Sequence, residues 1–318
     1  MPGSRSAEVA AYLLRRLGLA GLSVFGVVTL VFLLIHVIPG DPVDAMLGET
    51  AMAADKEALR HQLGLHRSIA VQYGRYLQRL GHGNFGRSLH SGRPVRRMIV
   101  ARYPATIELA AAALVLALVI AVPLGVAAAA RPRSFVNLIS AGVALFGAAV
   151  PSLWLGPMLM LVFAVWLDWL PVSGRGTLAH LVLPALTLGI GMAALLARLL
   201  RATLLERLHE EFVRTARAKG AGRARAVVAH ALPNALLPVI TAVGLQAGAL
   251  LSGAIITETI FSWPGIGRLL LLAIQTRDYP LVQGCVLVIA LTYVALNLAL
   301  DLLYAWVDPR VRLGGDPA

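Results

Sequence analysis

Six long apolar runs organise the chain: Leu17–Ile38, Ile107–Ala130, Asn137–Leu167, Leu181–Leu200, Leu236–Ile260 and Val282–Val307. Crossing the hydrocarbon of a bilayer takes about 20 predominantly apolar residues in a helix, so each run predicts one span. The first is interrupted only by His36 and is stopped by Pro39-Gly40-Asp41-Pro42. It follows Arg15 and Arg16 as a signal peptide would. It is too long for a signal's apolar region and no small-x-small cleavage site follows, so a permanent anchor is expected. The third run contains Pro151 and Pro157, which predict a kink, or a break into a span and a short surface piece.

Shorter periodicities appear between the first two spans. Tyr73, Tyr76, Leu77 and Leu80 fall on one helical stripe of Gln72–Leu80, with Arg75 and Arg79 on the other side. Asp55–Leu65 reads as a second short helix ending at Gly64. The expected organisation is an amino-terminal tail and first span (1–38) and a small helical extracytoplasmic loop subdomain (39–105). A five-helix core follows (106–307), with a cytoplasmic loop at 201–234, then a cytoplasmic tail (308–318). The fold class is thus an all-α membrane protein with about six transmembrane helices.

Composition agrees with a bilayer: 58% of the 318 residues are hydrophobic and 14% charged, against about 25% charged in soluble domains. The net charge of +12 is almost entirely arginine, with lysine only at Lys56 and Lys219. Because these charges lie between the apolar runs, they point to membrane surfaces and acidic protein partners, and nucleic acid is excluded as a partner.

Their distribution orients the chain. Arg5, Arg15 and Arg16, then Arg131 and Arg133, then the basic fourth-to-fifth connection, then Arg310 and Arg312 all fall on one side of a six-span chain. The two short loops opposite hold Arg175, Arg268 and Arg277. Both termini are therefore expected in the cytoplasm of a bacterial inner membrane. The first loop is the exception, with ten basic residues on the outer side, of which Arg96, Arg97 and Arg102 adjoin the second span.

Candidate chemistry is sparse. A phosphate-binding loop needs Gly-x-x-x-x-Gly-Lys-Ser/Thr, and Lys56 and Lys219 are followed by Glu57 and Gly220. No cofactor is expected in this chain, and any ATP site lies elsewhere. No His, Cys or carboxylate cluster has metal-ligand spacing, and the lone Cys285 reads as a small hydrophobe in a span. Ionisable groups in spans are costly and mark function by default. Of these, Glu108 is placed to stabilise a helix amino terminus, and Asn297 and Asp301 share a face of span six. Glu258 ends span five and is a candidate path or gate residue, placed to meet a substrate amine. Gln246 is a second, within Gly244-Leu-Gln-Ala-Gly248, a small-x-x-x-small pattern expected to pack against a partner.

The stretch Glu211–Pro238 reads as two cytoplasmic helices, Leu204–Ala218 and Arg223–Leu232, about a turn at Gly220 and Gly222, with Pro233 opening the approach to span five. Here the chain resembles the ABC-importer permeases, whose signature runs Glu-Ala-Ala, then a glycine, then thirteen residues later the proline of a Leu-Pro pair. Gly220 and Leu232-Pro233 keep that spacing, and Thr215 and Ala216 take the alanine positions. Arg214 replaces the glutamate, and His230 an aliphatic residue. The form Arg214-Thr-Ala-Arg-Ala-Lys-Gly220 followed by His230-Ala-Leu-x-Asn-Ala-Leu-x-Pro238 is similar to dipeptide, oligopeptide and nickel permeases. So, for their B-type subunit, are Ile38-Pro-Gly-Asp-Pro, Leu59-Arg-x-x-Leu-Gly-Leu, Gln72-Tyr73, Asn84-Phe-Gly-Arg-Ser-Leu and Pro104-Ala-Thr-Ile-Glu-Leu. Glu258-Thr-x-Phe-x-Trp-Pro-Gly-Ile-Gly and Tyr304-Ala-x-Val-Asp-Pro-Arg-Val-Arg complete the ordered set.

The resemblance implies the permease subunit of an ATP-driven importer for di- or oligopeptides, with nickel or a glutathione-like solute as other cargoes. It implies a coupling helix formed by Arg214, Thr215, Ala216, Arg217, Ala218, Lys219 and Gly220, with Leu232 and Pro233 behind it, seated in a cytoplasmic ATPase. The partners it implies are a paralogous second permease, two ATPase subunits carrying ATP and Mg, and an extracytoplasmic binding protein, besides membrane lipid. Two other readings stay open. A self-contained ion-coupled carrier or channel usually shows repeated halves, and none is visible. An intramembrane enzyme needs a base beside Ser140 or Ser252, and His36 is the only span histidine.

Overall fold

A computed structural model describes residues 2–37, 43, 52–63, 66–131 and 135–307. Their regular structure is helical, apart from one isolated bridge between Arg87 and Pro94. The helices are α1 (Pro2–Val37), α2 (Ala53–Leu63), α3 (Ile69–Gly81), α4 (Val95–Ala130), α5 (Phe135–Ala149) and α6 (Ser152–Leu159). Then follow α7 (Leu178–Arg207), α8 (Glu211–Ala218), α9 (Leu232–Ile260), α10 (Ile266–Gln275) and α11 (Tyr279–Val307). The all-α membrane class expected from the sequence is what the chain adopts. The Pro39–Pro42 stop, Gly64, Arg133 and the tail 308–318 lie outside the described residues, as do the side chains of His36, Ser140, Ser252 and Asp301.

Five helical stretches are long and apolar enough to cross a membrane: Leu14–Leu33, Val95–Ala130, Leu178–Arg207, Arg223–Gly248 and Tyr279–Leu300. The third apolar run is divided instead. α5 stops at Ala149, Pro151 precedes the restart as α6, and beyond Pro157 the chain winds on in π register over Met160–Trp166. A proline inside a helix removes one ladder donor and its ring crowds the carbonyl four residues back, which accounts for the interruption.

Helices also overrun their apolar runs. α4 begins at Val95, well before Ile107, because its first turns are polar but still helix-forming. Glu108 is therefore inside a helix and not at an amino terminus, which corrects the capping role expected for it.

The chain forms two compact units. One contains Thr106–Trp263, with Met1–Tyr12 and Leu296–Ala318. At its centre is α7, against which α5, α6 and α9 pack. α4 meets α7 through small residues at four-residue spacing: Ala113, Ala117 and Ala121 are at most 1% exposed, as is Leu109 one turn earlier. Opposite lie Gly189, Ala193 and Ala197, also buried. A Cβ on Gly189 would stand 2.8 Å from the Ala113 carbonyl oxygen, and one on Gly125 3.0 Å from that of Ala197. Contact order along both helices is the same, so they run parallel.

The other unit contains Leu13–Ala105 and Pro264–Ala295. The stripe expected on α3 is real: Tyr73, Tyr76, Leu77 and Leu80 pack on Val28, Val31 and Phe32 of α1 and Leu287 of α11. Tyr73 and the Thr29 hydroxyl are hydrogen-bonded at 2.6 Å. A second cluster joins Val95 and Ile99 to Ile266, Leu269 and Ala273 of α10 and to Leu281, Val282 and Cys285. Buried Asp278 fastens the 84–94 loop to it. Its carboxylate accepts from the Ser88 hydroxyl at 2.5 Å and the Leu89 N–H at 3.2 Å, and from Leu281 N–H in the first turn of α11.

Two consequences are measurable. Gly189→Leu drives a side chain into the α4 backbone and should destabilise the chain by about 1–3 kcal/mol, read as a lower Tm in detergent. The Tyr76 hydroxyl is buried without a hydrogen-bond partner, and burial pushes it up to about 12 against a smaller pull from Arg79. Below pH 10 it is protonated folded or unfolded; above, the unfolded chain ionises first and stability falls until about pH 12. Tyr76→Phe should leave the Tm unchanged or higher at pH 8 and remove this part of the alkaline loss, measured by thermal melting across pH 8–12.

Candidate functional site

The basic connection between α7 and α9 forms a compact hairpin. The expected helix Leu204–Ala218 is split, because α7 ends at Arg207 and α8 begins at Glu211. At the joint, Arg207 Nη1 donates to Glu210 Oε1 at 2.7 Å. α8 closes on a glycine motif in which Gly220 N–H donates to Arg217 O and Ala221 N–H to Ala216 O, at 3.0 and 3.1 Å. Gly220 has φ +91°, a left-handed conformation, and a Cβ there would meet nothing within 4 Å. The demand for glycine is therefore one of backbone alone.

After Gly222 the chain makes a short turn, Arg223–Arg225, and a π stretch, Ala226–Ala231. This replaces the regular helix expected up to Leu232. Pro233 in the first turn of α9 offers no N–H to the carbonyl of Ala229, and the turn before it widens. Val213 is fully buried, and α8 packs on the π stretch, where Ala226, Val227 and Ala231 are buried. The Thr203 hydroxyl reaches the Ala235 carbonyl at 3.3 Å, tying α7 to α9 just behind the hairpin.

With Val213 holding one side down, the other faces out. Arg214, Thr215, Arg217, Ala218, Lys219 and Gly220 are exposed, and Ala216 is half-buried between them. Arg223 and Arg225 extend the same basic surface, and Phe212 adds an exposed ring. Among the described residues, no carboxylate pairs with Arg214, Arg217 or Lys219. Leu232 and Pro233 stand apart from this face, at the start of α9, where they shape the joint.

The far end of α9 carries a second polar assembly. Glu258 is 0% exposed and accepts from the Thr106 hydroxyl at 2.5 Å. Its carbonyl receives the Trp263 N–H at 2.8 Å. Arg175 Nε and Nη2 both donate to Glu108 Oε2, at 2.9 and 2.5 Å, and its guanidinium stands 5.9 Å from the Trp263 ring centre. Gly174 N–H donates to the Phe261 carbonyl at 2.8 Å. The cluster thus joins α4, the 168–177 loop and the end of α9.

Because Glu258 is fully buried beside Thr106, contact with an amine would need the helices to part. Gln246 is half-buried on α9 and belongs to neither assembly. Gly244 packs against Leu300 of this same chain, so at that position the small-residue pattern serves an internal contact, not the partner-facing one expected. Sequence reasoning missed Thr106, Arg175 and Trp263. The signal was present, since Pro104–Leu109 and Glu258–Gly267 each supply part of the cluster.

The chain is similar over most of its length to transport proteins. Residues 121–313 match the family described as binding-protein-dependent transport system inner membrane component, and residues 9–110 its amino-terminal companion. The dipeptide transport system permease protein of Escherichia coli K12 is 41% identical, with 95% of this chain and 98% of that protein covered. The di/tripeptide permease of Pseudomonas aeruginosa is 41% identical, with the same coverage. The glutathione transport system permease of E. coli K12 is 40% identical, again over 95% and 98%. The chain belongs to the binding-protein-dependent transport system inner membrane component family.

Gly220→Val should cost about 1–2 kcal/mol of local stability through the left-handed backbone. Hydrogen exchange should quicken at residues 216–222 and stay unchanged in α7 and α9; protection unchanged at Ala221 would refute the role of the motif.

Proposed function

We propose that, as a member of this family, the chain forms half of the translocation path of an ATP-driven importer for di- and oligopeptides, with α8 as its coupling helix. The cargo follows from the relatives, whose names specify dipeptides, di- and tripeptides and glutathione. Glutathione is itself a small peptide, so one class covers all three.

One observation carries the coupling role: an exposed basic helix, its arginines without an ion pair among the described residues, packs on the π stretch that leads into α9 and is joined to α7 by the short Leu208–Glu210 link. A push on α8 would pass through the buried Val213 and Ala226 into α9 and, across the Thr203–Ala235 contact, into α7. Arg214, Arg217 and Lys219 suit an acidic cleft on a cytoplasmic ATPase. The small Ala216 and Ala218 let the helix sit deeply. ATP and Mg would be bound on two ATPase subunits, because this chain has no phosphate-binding loop. A paralogous permease would supply the other half of the path, and an extracytoplasmic binding protein most of the selectivity. Both termini then lie in the cytoplasm, on the side of α8.

Movement at α8 would reach the cluster at the other end of α9, where Glu258 and Thr106 hold α9 against α4. That contact is a natural place for the path to open, with Glu258 uncovered when the helices separate.

The test is co-purification of the tagged chain in mild detergent from its native host. A second permease and two ATPases should accompany it, and Ala216→Trp should release the ATPases while the second permease stays. Recovery of the chain alone, monodisperse and active in uptake without ATP, would sink the reading in favour of a self-contained carrier.

A further inference from the structure

Two ties cross the seam between α4 and the end of α9, and they differ in kind. One is buried: the Thr106 hydroxyl donates to Glu258, which is 0% exposed. The other is exposed and indirect. Arg175 of the 168–177 loop donates through Nε and Nη2 to Glu108 on α4, and its guanidinium stands over the ring of Trp263, just past α9. Thr106 and Glu108 are two residues apart, and the Trp263 N–H donates to the carbonyl of Glu258 itself. The two ties therefore grip the same two elements, and all of these residues lie in one compact unit.

The loop is fastened on both sides of Arg175. Gly174 N–H donates to the Phe261 carbonyl at 2.8 Å, and Thr177 N–H to the His180 ring at 3.1 Å in the first turn of α7. Those are backbone ties. The Arg175 and Glu108 side chains are 39% and 38% exposed, so water and ions reach them, whereas Thr257, Glu258 and Trp263 are fully buried.

That difference sets an order. Parting Thr106 from Glu258 first would strand a carboxyl group away from both its partner and water, which is costly. Parting Arg175 from Glu108 first costs little, because both groups are already solvated and an exposed ion pair holds by no more than about fivefold. Once it has parted, water can enter the seam and solvate Glu258 as the second tie breaks.

We propose that Arg175 and Glu108 are the bolt of this seam: their ion pair keeps water from Glu258 and parts before Thr106 releases the carboxyl group. The assignment rests on reading the chain as a permease half, in which α4 and α9 separate for the path to open. Arg175 is then a positioning residue, acting on the seam through Glu108 and Trp263.

Water-soluble carbodiimide with glycine ethyl ester, applied to the purified assembly in nanodiscs and read by peptide mass spectrometry, reports the exposure of Glu258. Arg175→Gln should raise the rate of coupling at Glu258 about three- to fivefold. Arg175→Glu/Glu108→Arg, which rebuilds the pair in reverse, should return it to the parent rate. Molar salt should speed coupling in the parent and leave Arg175→Gln unmoved. Thr106→Val with the bolt intact should stay near the parent rate, and Thr106→Val/Arg175→Gln should exceed the sum of the single effects. Equal rates in the parent and Arg175→Gln would overturn the proposal. So would a charge reversal no better protected than Arg175→Gln, the mark of a merely structural loop contact. Faster coupling in Thr106→Val than in Arg175→Gln would overturn the order and the bolt with it. The rate is read on this chain whether or not ATPases accompany it, so failure here is distinct from failure of the importer reading.

Discussion

Lipid tails are as apolar as leucine, so in a membrane helices gain little from burying apolar side chains against one another and must instead come close. The parallel pair α4 and α7 meets this constraint with two facing rows of small residues. Ala113, Ala117 and Ala121 oppose Gly189, Ala193 and Ala197, and the Gly189 Cα lies so near the Ala113 carbonyl that no Cβ fits between. Once α7 is fixed there, α5, α6 and α9 pack around it. The position of both polar assemblies follows, since one hangs from the end of α7 and the other joins α4 to the end of α9.

That rigidity gives the hairpin its mechanical meaning. A flexible basic loop would absorb a push. Here α8 leans on Val213 and the π stretch, and Thr203 bonds α7 to the Ala235 backbone immediately behind. The two soft places are backbone features: the left-handed Gly220 and the widened turn ahead of Pro233. Both lie within the hairpin, between its stiff ends, so they set the angle at which α8 is presented without loosening its attachment.

Much of this was legible in the sequence because apolar length and glycine chemistry are local signals. The spans, the Tyr73–Leu80 stripe and the turn at Gly220 all follow from spacing of one kind or another. The break at Val150-Pro151 was readable from two prolines. What was not legible depended on pairings far apart in the chain. Arg175 reads as one more loop charge until it is seen on Glu108, 67 residues away, and Thr106 reads as an ordinary helix residue until it meets Glu258, 152 residues away. Glu108 was misread for a simpler reason: hydropathy marks where the bilayer begins, and α4 begins earlier.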